Sequence, residues 1–318
     1  MDPVLLMLAG LALLAVGGEV LVRGAVGAAR ALGVSPLLIG LTLVGFGTST
    51  PELVTSLQAA AKGSPGLAVG NIVGSNIANI LLILGLAALL RPVSFDPRAF
   101  ARDGLVLALA TLACLGVALY GRLTPAIGIG FLVALATYIV VSWLQERRSP
   151  PGDPEATRLE AEAAAAAPAR PRVLPGLALA VAGIVLTIVG ARLLVDGAID
   201  VARASGVSET VIGLTIVAVG TSLPELVASL AAALRGRSDV AFGNVVGSNI
   251  YNILGILGVT AVLQPLRVPP EIARVDIWVM VAATTLVLAQ RNFRLGRREG
   301  LVLLLCYGLY VTVLAAGA

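Results

Sequence analysis

Gly47-Thr48-Ser49-Thr50-Pro51-Glu52 is written a second time, 173 residues further on, as Gly220-Thr221-Ser222-Leu223-Pro224-Glu225. Both copies lie inside apolar runs, and each places there two residues that hydrocarbon disfavours. An intramembrane carboxylate costs about 2.5–3.5 kcal/mol on insertion scales and by default marks an ion path. An internal proline strips a helical donor from the carbonyl four residues back, and lipid supplies none. Both costs, taken twice at matching positions, point to a cation site assembled from two halves.

The rest of the chain sets that reading in a bilayer. Its 318 residues are 58% hydrophobic and 13% charged, with a mean hydropathy of +0.98. This is more apolar surface than a soluble core of the size can bury. The expectation is an all-α integral membrane protein. Met1-Asp2-Pro3 lacks the basic flank of a signal peptide, so the first apolar run reads as a retained helix. Cys114 and Cys306 fall in separate apolar runs and read as small buried hydrophobes. There is no histidine, which excludes His-ligated zinc, His general bases and His proton relays. The net charge of +4 is explained by topology rather than by a nucleic-acid partner.

Apolar segments fall at 3–22, 36–61, 67–90, 104–120, 124–144, 174–195, 208–234, 240–264, 275–290 and 299–316. Each is near the length that crosses about 30 Å of hydrocarbon, which predicts ten transmembrane helices. Of the 22 Lys and Arg, sixteen lie in the loops after odd-numbered helices and six in the others. Positive residues favour the cytoplasm, so both termini are expected outside, in a multi-pass protein of the cell membrane. Arg23, Arg192, Asp196 and Asp200 read as lying near helix ends, where snorkelling accounts for their charge. The Pro-, Ala-, Glu- and Arg-rich stretch 146–172 cannot form a packed core and reads as a cytoplasmic linker. It divides a first repeat, 1–145, from a second, 173–318. Residues 33–85 and 206–258 align without a gap at 34 of 53 positions. Five spans on each side make the second repeat inverted relative to the first, the construction of secondary transporters with a midplane site.

Within each copy the proline loosens the helix at Gly47 to Thr50 and at Gly220 to Leu223, turning backbone carbonyls toward a ligand. Thr48 and Glu52 are four apart, as are Thr221 and Glu225, so each hydroxyl shares a helix face with its carboxylate. The donors are hard oxygens. The next helix carries Gly70-Asn71-Ile72-Val73-Gly74-Ser75-Asn76-Ile77-Ala78-Asn79, repeated as Gly243-Asn244-Val245-Val246-Gly247-Ser248-Asn249-Ile250-Tyr251-Asn252. Asn71, Ser75 and Asn79 step by four, as do Asn244, Ser248 and Asn252, and each set forms one polar stripe. The glycines four apart permit close helix approach, bringing a stripe against a Thr and Glu face. A polar side chain in such a helix is often interhelical glue, so the two glutamates carry most of the functional signal.

These paired motifs resemble the two repeats of the sodium/calcium exchanger family within the cation/calcium exchanger superfamily, in its prokaryotic form. The resemblance covers nearly the whole chain. It implies shared calcium and sodium sites around Glu52 and Glu225, completed by Thr48, Thr221, Ser49, Ser222, Ser75, Ser248 and Asn79 and by the carbonyls of Gly45 and Ala218. It aligns Asn252 with a position that is aspartate in many exchangers, which removes one acid from the centre. It implies a secondary antiporter and not an enzyme, with no cofactor and with calcium and sodium bound as substrates. Helices 1 and 6 would then move against a core of helices 2, 3, 7 and 8. A calcium/proton antiporter using the same glutamates is the alternative, followed by a passive cation channel and a non-transporting scaffold. Flux driven by a sodium gradient at clamped pH separates the first two.

Overall fold

The structure, a computed structural model, describes residues 2–34, 36–63, 65–95, 97–148, 173–204, 218–290 and 294–317. The linker expected over 146–172 lies, from 149 onward, outside the described residues, as does the beginning of the segment expected at 208–234. Apart from turns and four two-residue strands, the described residues are helical. We label its helices α1 (Pro3–Leu32), α2 (36–61), α3 (Pro65–Leu90), α4 (Pro97–Tyr120), α5 (Pro125–Arg148), α6 (Val173–Ala204), α7 (218–234), α8 (Ser238–Leu263), α9 (272–288) and α10 (Arg297–Gly317). Among the described residues, six are long and apolar enough to cross a membrane, namely α1, α3, α4, α5, α6 and α8.

α1 begins with Pro3 at its first position and Asp2 accepting the amide of Val4 at 2.8 Å, and it ends at Gly33 in a left-handed conformation (φ 64°). It outruns the apolar segment 3–22, which Arg23 closes, and buries the small residues Gly24, Ala25, Ala28 and Ala29 beyond it. α6 likewise outruns 174–195. Arg23, Arg192 and Asp196 therefore lie inside helices, a correction to their reading as helix-end residues. Arg23 is paired along α1 with Glu19 at 2.6 Å.

α1 and α6 run antiparallel in contact along their lengths through glycines seven residues apart. They are Gly10, Gly17 and Gly24 on α1, and Gly176, Gly183, Gly190 and Gly197 on α6. A Cβ on Gly10 would sit 2.6 Å from the backbone nitrogen of Leu194, and one on Gly176 would sit 2.6 Å from that of Ala28. Backbone against backbone at this range leaves no room for a side chain.

The remaining elements repeat about a two-fold relation. β1 (Val93–Ser94), after α3, pairs antiparallel with β4 (Arg294–Leu295), after α9. β2 (Arg122–Leu123), after α4, pairs with β3 (Leu266–Arg267), after α8. Tyr138 of α5 donates to Asp103 of α4 at 3.2 Å, and Tyr310 of α10 donates to Asp276 of α9 at 2.9 Å. Residues at the repeat offset of 173 meet their own counterparts: Thr111 and Thr284 hydroxyls lie 3.4 Å apart, and Asn76 and Asn249 exchange amide-to-backbone contacts. Such self-matched contacts are what an axis of two-fold symmetry produces.

Candidate functional site

The doubled motif forms two broken helices. α2 contains a π-helical turn, Gly40–Val44, then departs from helical geometry at Ser49 (φ −79°, ψ 10°) and resumes as Thr50–Ala61. α7 departs at Ser222 (φ −90°, ψ 8°) and resumes as Leu223–Leu234. The loosening expected over four residues is thus confined to one in each copy. Proline removes a single donor, and Pro51 and Pro224 then sit in the first turn of a new helix, where no donor is required. Thr50 adds a local repair by donating to the Gly47 carbonyl at 2.8 Å. Leu223, its counterpart, cannot, and Gly220 and Thr221 line an open cleft.

Ser49 and Ser222 stand at the N-caps of these half-helices, yet neither side chain caps its own helix. Each reaches across to the opposite copy. Ser49 donates to Glu225 Oε1 at 2.7 Å, and Ser222 donates to Glu52 Oε1 at 3.0 Å. Both glutamates are fully buried, and each sits in the first turn of its half-helix, where the unpaired amides favour negative charge.

The polar stripes of α3 and α8 close the site from the sides. Asn71 donates to the backbone carbonyl of Glu52 at 3.1 Å and to Ser56 at 2.9 Å. Asn244 makes the matching contacts with Glu225 at 3.1 Å and Ser229 at 2.8 Å. These two asparagines brace the broken helices. Ser56 and Ser229 were not among the residues singled out by motif, although identity at the repeat offset was an available signal. Thr48 has three acceptors in reach, Val44 O at 3.0 Å, Asn244 Oδ1 at 3.2 Å and Gly45 O at 3.4 Å. Ser248 donates to the Gly45 carbonyl at 3.2 Å, and Ser222 lies 3.4 Å from Ser75. The side-chain approach depends on small residues: a Cβ on Gly45 would lie 3.1 Å from the Ser248 nitrogen. Its counterpart Ala218 opens the described part of α7.

Asn79 and Asn252 are fully buried beside the same cluster. Four buried oxygens have no hydrogen-bond partner among the described residues here: Glu52 Oε2, Glu225 Oε2, Asn79 Oδ1 and Asn252 Oδ1. They form two matched pairs across the two-fold relation. Buried acceptors left unsatisfied in this way are costly, and four acceptor-only oxygens are the donor set a hard cation requires. The structure therefore brings Glu52, Glu225, Ser49, Ser222, Ser75, Ser248, Thr48, Asn79, Asn252 and the Gly45 carbonyl into one buried region.

Among the described residues a cleft reaches the helix breaks from one side. A cleft of about 240 Å³ runs between α2 and α6, lined by Pro51, Val54, Thr55 and Gln58 on one wall, by Ile188, Arg192, Val195 and Asp196 on the other, and by Gly220 and Thr221. On the opposite side α1 packs against α7. There a Cβ on Gly18 would lie 2.6 Å from Val227 Cγ1, and Glu19 is ion-paired with Arg235.

Comparison with known proteins agrees with this arrangement. The family model described as sodium/calcium exchanger protein matches residues 3–144 and 175–316. A putative antiporter, CaxA, from Alkalimonas amylolytica is 40% identical over 307 residues, 95% of this chain and 95% of the relative. The sodium/calcium exchanger MaX1 from Methanosarcina acetivorans is 34% identical, covering 98% of this chain and 97% of its own. Among solved structures, the sodium-calcium exchanger NCX_Mj soaked with sodium and calcium superposes with a TM-score of 0.82 at 34% identity, over 98% of this chain and 97% of that one.

Proposed function

The chain belongs to the sodium/calcium exchanger family, a family of multi-pass membrane transporters, and on that premise we propose that it exchanges sodium for calcium by alternating access. The observation that carries this is the matched set of four unsatisfied oxygens, two from glutamates, at the meeting point of two broken helices. Glu52 and Glu225 are the shared ligands. Thr48, Thr221, Ser49, Ser222, Ser75, Ser248, Asn79 and Asn252, with the carbonyls of Gly45 and Ala218, complete the calcium and sodium positions.

Charge balance gives the exchange its logic. Two carboxylates are neutralised by one calcium or by two sodium ions. A third sodium rests on amide, hydroxyl and carbonyl dipoles at the helix breaks. One cluster cannot hold both loads at once. A neutralised cluster can pass an apolar constriction, whereas two bare carboxylates cannot.

The membrane arrangement follows from the repeat. We read ten spans as two inverted five-helix repeats, 1–145 and 173–318, joined by a cytoplasmic linker, with both termini outside. The strand pairings support this: β1 and β4 both follow odd-numbered helices and β2 and β3 both follow even-numbered ones, so each pair lies on a single membrane face. In that frame the cleft between α2 and α6 opens outward, and the contact of α1 with α7 closes the cytoplasmic side. The α1 and α6 pair, fused by its glycine contacts, moves as one body against α2, α3, α7 and α8.

Competition between the two ions tests the shared site. Titration of calcium into purified protein at rising sodium should show the calcium affinity falling with a sodium dependence steeper than first order. Unchanged calcium affinity in sodium would refute a common site.

A further inference from the structure

The two asparagines most exposed to a wrong orientation in this site are Asn79 and Asn252. An amide side chain offers an oxygen at one corner and an NH₂ at the other. Only the oxygen suits a cation. Rotating the group by half a turn would replace a ligand with a donor that repels the ion. Something must therefore set which corner faces inward.

The hydrogen bonds around these residues form two short chains that settle it. Asn249 Nδ2 donates to the backbone carbonyl of Asn76 at 3.4 Å. A carbonyl can only accept, so the NH₂ of Asn249 must point there and its Oδ1 must point the other way. That Oδ1 accepts from Asn79 Nδ2 at 3.0 Å, which leaves Asn79 Oδ1 as the corner turned away and, among the described residues, without a partner. The second chain is the mirror of the first. Asn76 Nδ2 donates to the Asn249 carbonyl at 3.4 Å, Asn76 Oδ1 accepts from Asn252 Nδ2 at 3.0 Å, and Asn252 Oδ1 is left unpartnered among the described residues. Asn79 lies one helical turn beyond Ser75, which contacts the serine that holds Glu52.

We propose that Asn76 and Asn249 are positioning residues that lock the amide oxygens of Asn252 and Asn79 toward the transported cation. Neither touches the ion. Each reads a fixed backbone carbonyl across the two-fold relation and passes that polarity to a ligand on the opposite repeat. The inference rests on the reading that Asn79 and Asn252 face the ions.

A carboxylate has two equivalent oxygens and needs no such clamp, and this supplies the test. Calcium affinity is measured by titration of calcium chloride into purified full-length protein. The variants are Asn252→Ala, Asn76→Ala, Asn252→Asp and the double variant Asn76→Ala with Asn252→Asp. Asn252→Ala should weaken calcium binding by about tenfold or more, the size of one lost contact to a charged group. Asn76→Ala should weaken binding likewise in the parent protein but not in the Asn252→Asp background, where the carboxylate has no amide corner to orient and no N–H to donate to Asn76 Oδ1. If Asn76→Ala weakens binding equally in both backgrounds, or in neither while Asn252→Ala still does, the clamp is wrong. If Asn252→Ala itself leaves affinity unchanged, the ligand reading fails and the clamp with it. Should Asn76→Ala not fold, Asn249→Ala measured with and without Asn79→Asp reads the mirrored clamp by the same criteria.

Discussion

At the scale of single residues, the feature that most constrains the site is the exchange of hydrogen bonds between copies: Ser49 holds Glu225, and Ser222 holds Glu52. A hydrogen bond to a buried carboxylate contributes about 1.5–3 kcal/mol. Double-mutant cycles read by calcium titration should therefore give a coupling of that order between Ser49→Ala and Glu225→Gln, and near zero between Ser49→Ala and Glu52→Gln. The reverse pattern would mean that each serine serves its own helix. Glu52→Gln and Glu225→Gln should each lower calcium affinity by about thirtyfold or more, since removing one member of a buried charge set costs about 2–5 kcal/mol. Spacing within one helix was enough to mark both glutamates, but the Thr48 expected on the face of Glu52 turns instead to Asn244 of the opposite repeat, because the helix breaks at Ser49 between them. Spacing could not show the exchange, because the partner of Ser49 lies 176 positions away in the chain. The amide contacts of Asn79 and Asn252 were hidden for the same reason, since each donates to an asparagine on the other repeat.

At the scale of elements, the helix breaks were legible because proline and glycine act locally, whereas the pairing of α1 with α6 was not read. The seven-residue glycine spacing was present in both helices, but a glycine pattern does not say which helix it faces. Backbone contact at this range makes its own prediction. Gly10→Val places branched carbons where the Leu194 backbone already lies, and it should destabilise the protein by about 1–3 kcal/mol, seen as a lower melting temperature in detergent. Gly130→Ala on α5, whose added Cβ meets nothing within 4 Å, should leave it unchanged or slightly higher. Equal melting temperatures for Gly10→Val and the parent would contradict the close packing of α1 on α6. Helix ends were misjudged where charge and packing part company: Arg23 closes the apolar run, yet Ala28 and Ala29 beyond it are fully buried, so α1 reads ten residues too short.

At the scale of the whole molecule, two matched halves produce an unmatched shape, open between α2 and α6 and shut between α1 and α7. Charge accounts for part of the difference. Glu19 pairs with Arg235 on the shut side, whereas the residues at the repeat offset are Arg192 and Lys62, like charges that would oppose closure of the cleft. The Glu19 pair is partly exposed and contributes about 0.2–1 kcal/mol, up to about fivefold in the balance of states. Glu19→Gln should thus slow labelling of a cysteine introduced by Thr55→Cys in the cleft, read with a membrane-impermeant maleimide in protein whose Cys114 and Cys306 are replaced by serine. An unchanged labelling rate would remove the ion pair from the gate. In the proposed exchange, sodium movement through the paired-glutamate site drives calcium the other way. Its most direct measurement is calcium uptake into vesicles loaded with sodium, at fixed pH and with a proton ionophore present. The account predicts uptake that requires the outward sodium gradient and is lost in Glu52→Gln and Glu225→Gln; uptake that ignores sodium, or persists without either carboxylate, would contradict it.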